Sequence, residues 1–106
     1  MIIDAKTTRE IANKINYDKR HEAVKVVQGE WEGFLAPRIM KAANDGAYSC
    51  SYFWYANTLV EQGVDIEHFQ MELKKFIVLL GYNVEIETVS IMGEVTKIII
   101  YINWRD

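Results

Sequence analysis

A chain of 106 residues has the size of one domain, and half of its residues are apolar while a quarter are charged. That balance excludes a disordered polymer, and the length suffices for a core without a metal or a disulfide. The formal charge is −3, with eight basic and seven acidic residues over 1–46 but four basic and eight acidic over 47–106. An acidic total argues against a dedicated duplex-DNA binder, because phosphate contacts supply most non-specific affinity.

Cys50 is the single cysteine, so no intrachain disulfide forms and a reducing compartment is expected. The first six residues show no basic stretch leading into a long apolar run, so no signal peptide is expected. The apolar run Ile98–Ile102 is far too short to span a bilayer, and no membrane association is expected.

The first helix signal is Thr7-Thr8-Arg9-Glu10, a capping-box pattern, with Asp4 as a competing cap. Ile11, Ala12 and Ile15 form its narrow apolar face, and the spacing ends this helix near Asn16. A second helical pattern runs from Asp18 to Asn44. In it Val24, Val27, Trp31, Leu35, Ile39 and Ala42 recur every three or four residues. Straight, it would reach roughly 40 Å, long for a domain with a radius of gyration near 13 Å. The Pro37 ring conflicts with the Gly33 carbonyl, which predicts a kink between Gly33 and Pro37 with the apolar face continuing through it. Asn44-Asp45-Gly46 ends the helix.

Ala47 to Tyr55 reads as a first strand, with Tyr48, Cys50, Tyr52 and Trp54 on one face and Ala47, Ser49, Ser51 and Phe53 on the other. A short helical turn, Asn57 to Gln62, is expected to be capped by Asn57 and stopped by Gly63. Asp65 then caps the clearest helix, whose buried stripe is Ile66, Phe69, Leu73, Phe76, Ile77 and Leu80. Gly81 stops it, with Tyr82 folding back towards Ile77.

Val84, Ile86 and Thr88 alternate with Glu85 and Glu87, giving a strand with one wet face. Ser90 to Glu94 makes a turn. In the last strand Ile98, Ile100, Ile102 and Trp104 face one side, and Lys97, Ile99, Tyr101 and Asn103 face the other. A strand apolar on both faces belongs mid-sheet. The expected architecture is a single α+β domain over residues 1–106. Two N-terminal helices, the second long and kinked, precede β-α-β-β with a three-stranded mixed sheet ordered 1-3-2. The first and second strands are then parallel, joined by a right-handed crossover through the Asp65 helix.

No constellation for chemistry emerges. His21 and His68 stand 47 positions apart with no second ligand at metal-binding spacing, so no metal site and no cofactor are expected. Cys50 sits mid-strand among aromatics, the setting of a packed small side chain and not of an activated thiol. Glu85 and Glu87 are a carboxylate pair on one strand face, read as solvated charges that block aggregation. The glycines form no phosphate-binding loop. Arg9, Lys14, Lys19, Arg20 and Lys25 make a basic corner interrupted by Asp18 and Glu22, read as a solvated helical surface. No catalytic residue is assigned, and an enzyme is not expected.

The aromatic run Tyr48, Tyr52, Phe53, Trp54, Tyr55 stands apart. Phe53 and Tyr55 point away from the expected core, and with Ile99 and Tyr101 they compose an apolar patch on the second sheet face. Three helical segments are too few to cover both faces, and a bare contiguous patch marks an interface. The expected partner is therefore a second copy or another protein.

Four stretches, AKTTREIANKIN, IMKAANDGAYSCSY, LKKFIVLLGYNVEIE and IIIYINW, resemble a loose class of small uncharacterised proteins of tailed bacteriophages and prophages. The matching residues are Ala5 to Ala12, Ala42 to Gly46, Leu79 to Val84 and Ile102 to Trp104. Gly33 and Pro37 within the long helix, and the longer aromatic segment from Tyr52 to Val64, depart from that pattern. The resemblance implies an accessory or structural protein, cytoplasmic in the host or associated with the virion, and carries no activity or functional residue with it. An alternative role is a small inhibitor of a host defence or regulatory protein. That role would use the acidic C-terminal surface or the basic corner.

Overall fold

The computed structural model describes residues 4–105. Its elements in order are α1 (Ala5–Glu30), a π-helical turn (Trp31–Leu35), α2 (Ala36–Asn44), β1 (Ser49–Tyr55), α3 (Ala56–Glu61), α4 (Ile66–Leu79), β2 (Asn83–Ile91) and β3 (Glu94–Asn103). The fold is α+β, with the sheet ordered β1-β3-β2 as expected. Both ladders are antiparallel. The expected label of a mixed sheet is thereby corrected: β1 and β2 run parallel, but β3 separates them and no parallel pair forms.

The boundary expected near Asn16 is absent, and helix runs without interruption from Ala5 to Asn44. Asn16, Tyr17 and Asp18 are weak helix formers but not breakers, so propagation carries through them. Asp4 is the cap, its carboxylate accepting the Thr7 N–H at 2.8 Å, so Thr7 is not the capping residue. At roughly 1.5 Å per residue this helical rod is about 60 Å long. It accounts for the elongated shape, 63 × 32 × 23 Å with a radius of gyration of 16.6 Å.

The irregularity expected between Gly33 and Pro37 takes the form of the π-helical turn. There the Ala36 N–H reaches back five residues to the Trp31 carbonyl. Two features of the sequence account for it. Pro37 has no N–H to give and crowds the Gly33 carbonyl. In addition, Val27, Trp31, Leu35 and Ile39 follow at steps of four, and each such step drifts about 40° around an α-helix. A wider turn rotates less per residue and restores the stripe to one side. Val27, Leu35 and Ile39 are accordingly buried, with Trp31 partly so.

The hydrophobic core lies between the helices and one sheet face. Val27, Leu35 and Ile39 from the rod meet Phe69, Leu73 and Ile77 of α4, and Ile98, Ile100 and Ile102 of β3. Trp54 of β1 closes the layer edge-on against Phe69, ring centres 5.2 Å apart. Its indole N–H donates to the Glu30 carboxylate at 3.0 Å and ties β1 to the end of α1. Two ion pairs, Lys19–Asp65 at 3.6 Å and Arg20–Glu72 at 3.1 Å, fasten α4 to α1.

The Asp65 cap is as expected, its side chain accepting the His68 N–H at 3.1 Å. Gly81 at φ +97° ends α4, and Tyr82 N–H returns to the Ile77 carbonyl at 3.4 Å, completing a Schellman closure. Leu80, placed in the buried stripe from its spacing, is half exposed because it lies past the last helical turn. Helix α3 starts at Ala56 with no side-chain cap, so Asn57 does not cap it. β1 starts at Ser49, two residues later than expected.

The hairpin turn is tighter than the expected Ser90–Glu94 span. Only Met92 (φ +53°) and Gly93 (φ +83°) join β2 to β3, a two-residue turn with both residues left-handed. The strands are correspondingly longer. Thr96 is the extra residue at the irregularity beside Val89/Ser90, and its hydroxyl donates to the Val89 carbonyl at 3.2 Å.

Candidate docking surface

The register of the two ladders sorts the sheet into two faces. Cys50, Tyr52 and Trp54 lie beside Ile102, Ile100 and Ile98, and these beside Val84, Ile86 and Thr88. This face meets the helices. The other face consists of four rows across β1, β3 and β2: Ser49–Asn103–Asn83, Ser51–Tyr101–Glu85, Phe53–Ile99–Glu87 and Tyr55–Lys97–Val89. Among the described residues, no helix packs on it. The alternation of β1 therefore resolves as the sequence predicts, with Tyr52 and Trp54 inward and Phe53 and Tyr55 outward.

The four residues predicted to form an apolar patch share this bare face. Phe53 and Ile99 are register partners. Phe53, Tyr55 and Tyr101 remain 44%, 56% and 40% exposed, and Ile99 is half-buried between its neighbours. The Phe53 and Tyr55 rings meet edge-to-face at 5.3 Å. Lys97 lies over them, its ammonium 4.3 Å from the Phe53 ring centre and 5.8 Å from that of Tyr55. The Tyr101 hydroxyl donates to Glu87 at 3.2 Å, and this bond to a carboxylate raises the phenol above its ordinary pKa.

Lys97 was legible on this face from strand alternation alone. The Tyr101–Glu87 contact requires the register and is invisible before it is known. The Trp54–Glu30 bond joins residues 24 apart through packing, and no local pattern announces it. Size and charge vary across the face. Small polar residues occupy the Ser49 end, aromatic residues the Tyr55 end, and Glu85 and Glu87 the β2 margin.

The remaining candidates stand apart from this surface. His68 Nδ1 lies 2.6 Å from the Asp65 carboxylate, and this hydrogen bond holds Asp65 below its ordinary pKa, aided by the His68 main chain and Lys19. The pair serves the start of α4. His21 stacks on Tyr17, ring centres 6.0 Å apart, on the exposed part of α1. Among the described residues, no group of three or more metal-ligating side chains comes together. Burial pushes the Cys50 thiol up, with Arg38 opposing. In the basic corner, Lys19, Arg20 and Lys25 are engaged by Asp65, Glu72 and Glu22. No described helix is long and apolar enough to cross a membrane.

None of the family models, curated proteins or solved structures compared with the chain matches it.

Proposed function

We propose that this chain is a non-catalytic interaction protein that associates with a second copy of itself through β1. On this reading it serves as an accessory or structural component, of the kind its motifs resemble in tailed phages. The carrying observation is the bare sheet face: Phe53, Tyr55 and Tyr101 lie exposed around half-buried Ile99, while the opposite face is covered. Such a patch favours association because apolar area removed from water stabilises a complex by roughly 25 cal/mol per Å² before binding entropy is charged against it.

A second copy suits the chemistry of this face. It carries both signs of charge, Lys97 beside Glu85 and Glu87, so an identical face supplies complementary groups. It also grades from small side chains at Ser49 and Ser51 to large ones at Phe53 and Tyr55. Two copies related by a two-fold axis set large against small.

Light scattering over a range of concentrations tests the proposal. The expected result is a mass that rises to twice the monomer value, with Phe53→Ser and Tyr55→Ser shifting the transition to higher concentration. A protein that stays monomeric throughout, with both variants behaving as the parent does, would overturn it.

A further inference from the structure

The free side of β1 carries a second, sharper signal than its aromatic rings. The Trp104 N–H donates to the Tyr48 carbonyl at 3.0 Å, which fixes the parity of the β1–β3 ladder. Cys50, Tyr52 and Trp54 therefore turn their main-chain groups towards β3. Ser49, Ser51, Phe53 and Tyr55 turn theirs outward. Tyr55 uses its carbonyl to begin α3. The outward groups of Ser49, Ser51 and Phe53 form no hydrogen bond among the described residues.

The two edges of this sheet are built differently. The β2 edge carries Glu85 and Glu87 and an irregular register at Val89/Ser90, features that discourage strand addition. The β1 edge, Ser-Cys-Ser-Tyr-Phe-Trp-Tyr, has no charge, no proline and no glycine over its seven residues. An open groove beside β1 is bordered by Phe34, Tyr52, Phe53, Trp54 and Tyr55, with the Glu30 carboxylate at its margin. Side chains from both faces of β1 border it, so it lies along the strand's free edge and leaves room for an added strand.

From these observations we infer that β1 of one chain pairs antiparallel with β1 of a second, joining two three-stranded sheets into one of six strands. The inference rests on the reading of β1 as the self-association element but sets the contact along its edge in place of face against face. Antiparallel pairing of identical strands satisfies a two-fold axis, here passing beside Tyr52. In that register Ser51 faces the partner's Phe53, Ser49 the partner's Tyr55 and Cys50 the partner's Trp54. Every cross-strand pair except the central Tyr52 pair sets a small side chain beside a large one, and the strand itself contributes no charged side chain. The outward groups supply roughly six to eight new ladder hydrogen bonds. The helices of both chains then lie side by side on one face, and the bare faces merge into a single larger one.

Ser51→Pro separates edge pairing from docking of the bare face. The Ser51 N–H points outward, so proline removes no bond to β3, and an outward position on an edge strand is where a sheet tolerates proline. Sedimentation of parent and variant is combined with residue-resolved amide exchange of the parent at high and low concentration. Edge pairing predicts at least a tenfold weaker dimer for Ser51→Pro. It also predicts that Ser51 and Phe53 amides slow in step with the dimer fraction, while Tyr52 stays protected at all concentrations. A dimer that Ser51→Pro leaves intact, with Ser51 and Phe53 amides still exchanging freely, overturns edge pairing and leaves the bare-face reading standing. A parent protein monomeric up to about 1 mM, a dissociation free energy of only some 4 kcal/mol, overturns both. The amide measurement needs only the parent, so it decides even if the proline variant fails to fold.

Discussion

Among the described residues, the bond from the Trp54 indole to Glu30 is the one side-chain hydrogen bond between β1 and the helical rod, and its strength can be isolated. Trp54 is buried and the 3.0 Å contact is part-buried, so neither group is freely hydrated. Hydrogen bonds to a charged partner contribute about 1.5 to 3 kcal/mol, and the residual solvent access of Glu30 lowers this to about 1 to 2 kcal/mol. Trp54→Phe removes the donor but also disturbs the edge-on contacts with Phe69 and Tyr52. Glu30→Ala removes the acceptor and some side-chain packing. A double-mutant cycle cancels those separate losses and leaves the coupling. Urea unfolding at concentrations low enough to keep the chain monomeric supplies the four stabilities. The expected coupling is about 1.5 kcal/mol, or several degrees in melting temperature for a domain of this length. A coupling below about 0.3 kcal/mol would refute the tie and leave packing alone to hold β1 on the rod.

Asp65 is held below its ordinary pKa by the His68 hydrogen bond. It therefore contributes stability that is present above its unfolded pKa near 4 and is lost as pH falls through its folded pKa. Asp65→Asn should flatten the stability–pH curve below about pH 4, measured by urea unfolding at stepped pH; an unchanged curve would count against the assignment. Met92, 98% exposed at φ +53°, occupies a turn position that favours asparagine, so Met92→Asn should raise stability by about 0.5 to 1 kcal/mol by thermal unfolding. An added Cβ at Gly33 would meet nothing within 4 Å. Gly33→Ala should thus stabilise the rod by about 0.5 to 1 kcal/mol, and a loss instead would show that the π-helical turn needs glycine there.

What the sequence disclosed follows the range of the forces involved. Local signals were readable: the Asp65 cap, the Gly81 stop with Tyr82 returning to Ile77, and the strand alternation that separates Phe53 and Tyr55 from Trp54. The sheet order followed from one less local feature, the apolar character of β3 on both faces. The merging of the first two helices was not readable, because weak helix formers at Asn16–Asp18 leave a balance that continuity of the rod decides. The tight Met92-Gly93 turn was masked because methionine is a poor left-handed residue, so the sequence lacks the Asn-Gly signature. Gly33 and Pro37 announced an irregularity. Its π-helical form follows from the steps of four that link Val27, Trp31, Leu35 and Ile39, a pattern whose drift becomes decisive only once the helix must stay in register with a sheet.

The start of α1 is another exposed apolar surface that could compete with β1 in the proposed association, and physical measures separate the two. The exposed start of α1 presents Ile11 and Ile15, 55% and 50% exposed, with Ala12 between them. That stripe is a single turn deep, whereas a docking helix presents three or four apolar residues in every two turns. Its flanks carry Arg9, Glu10 and Lys14, and as a solvated continuation of a long helix it leaves no main-chain group wanting a partner. β1 differs on each count. It offers aromatic rings on its bare face and, among the described residues, unpaired donors and acceptors along its edge, and none of its own seven residues is charged. The acidic β2 margin shows what a protected edge looks like in the same sheet. The contrast between the two edges, more than the aromatic residues alone, is what favours β1 in the proposed self-association.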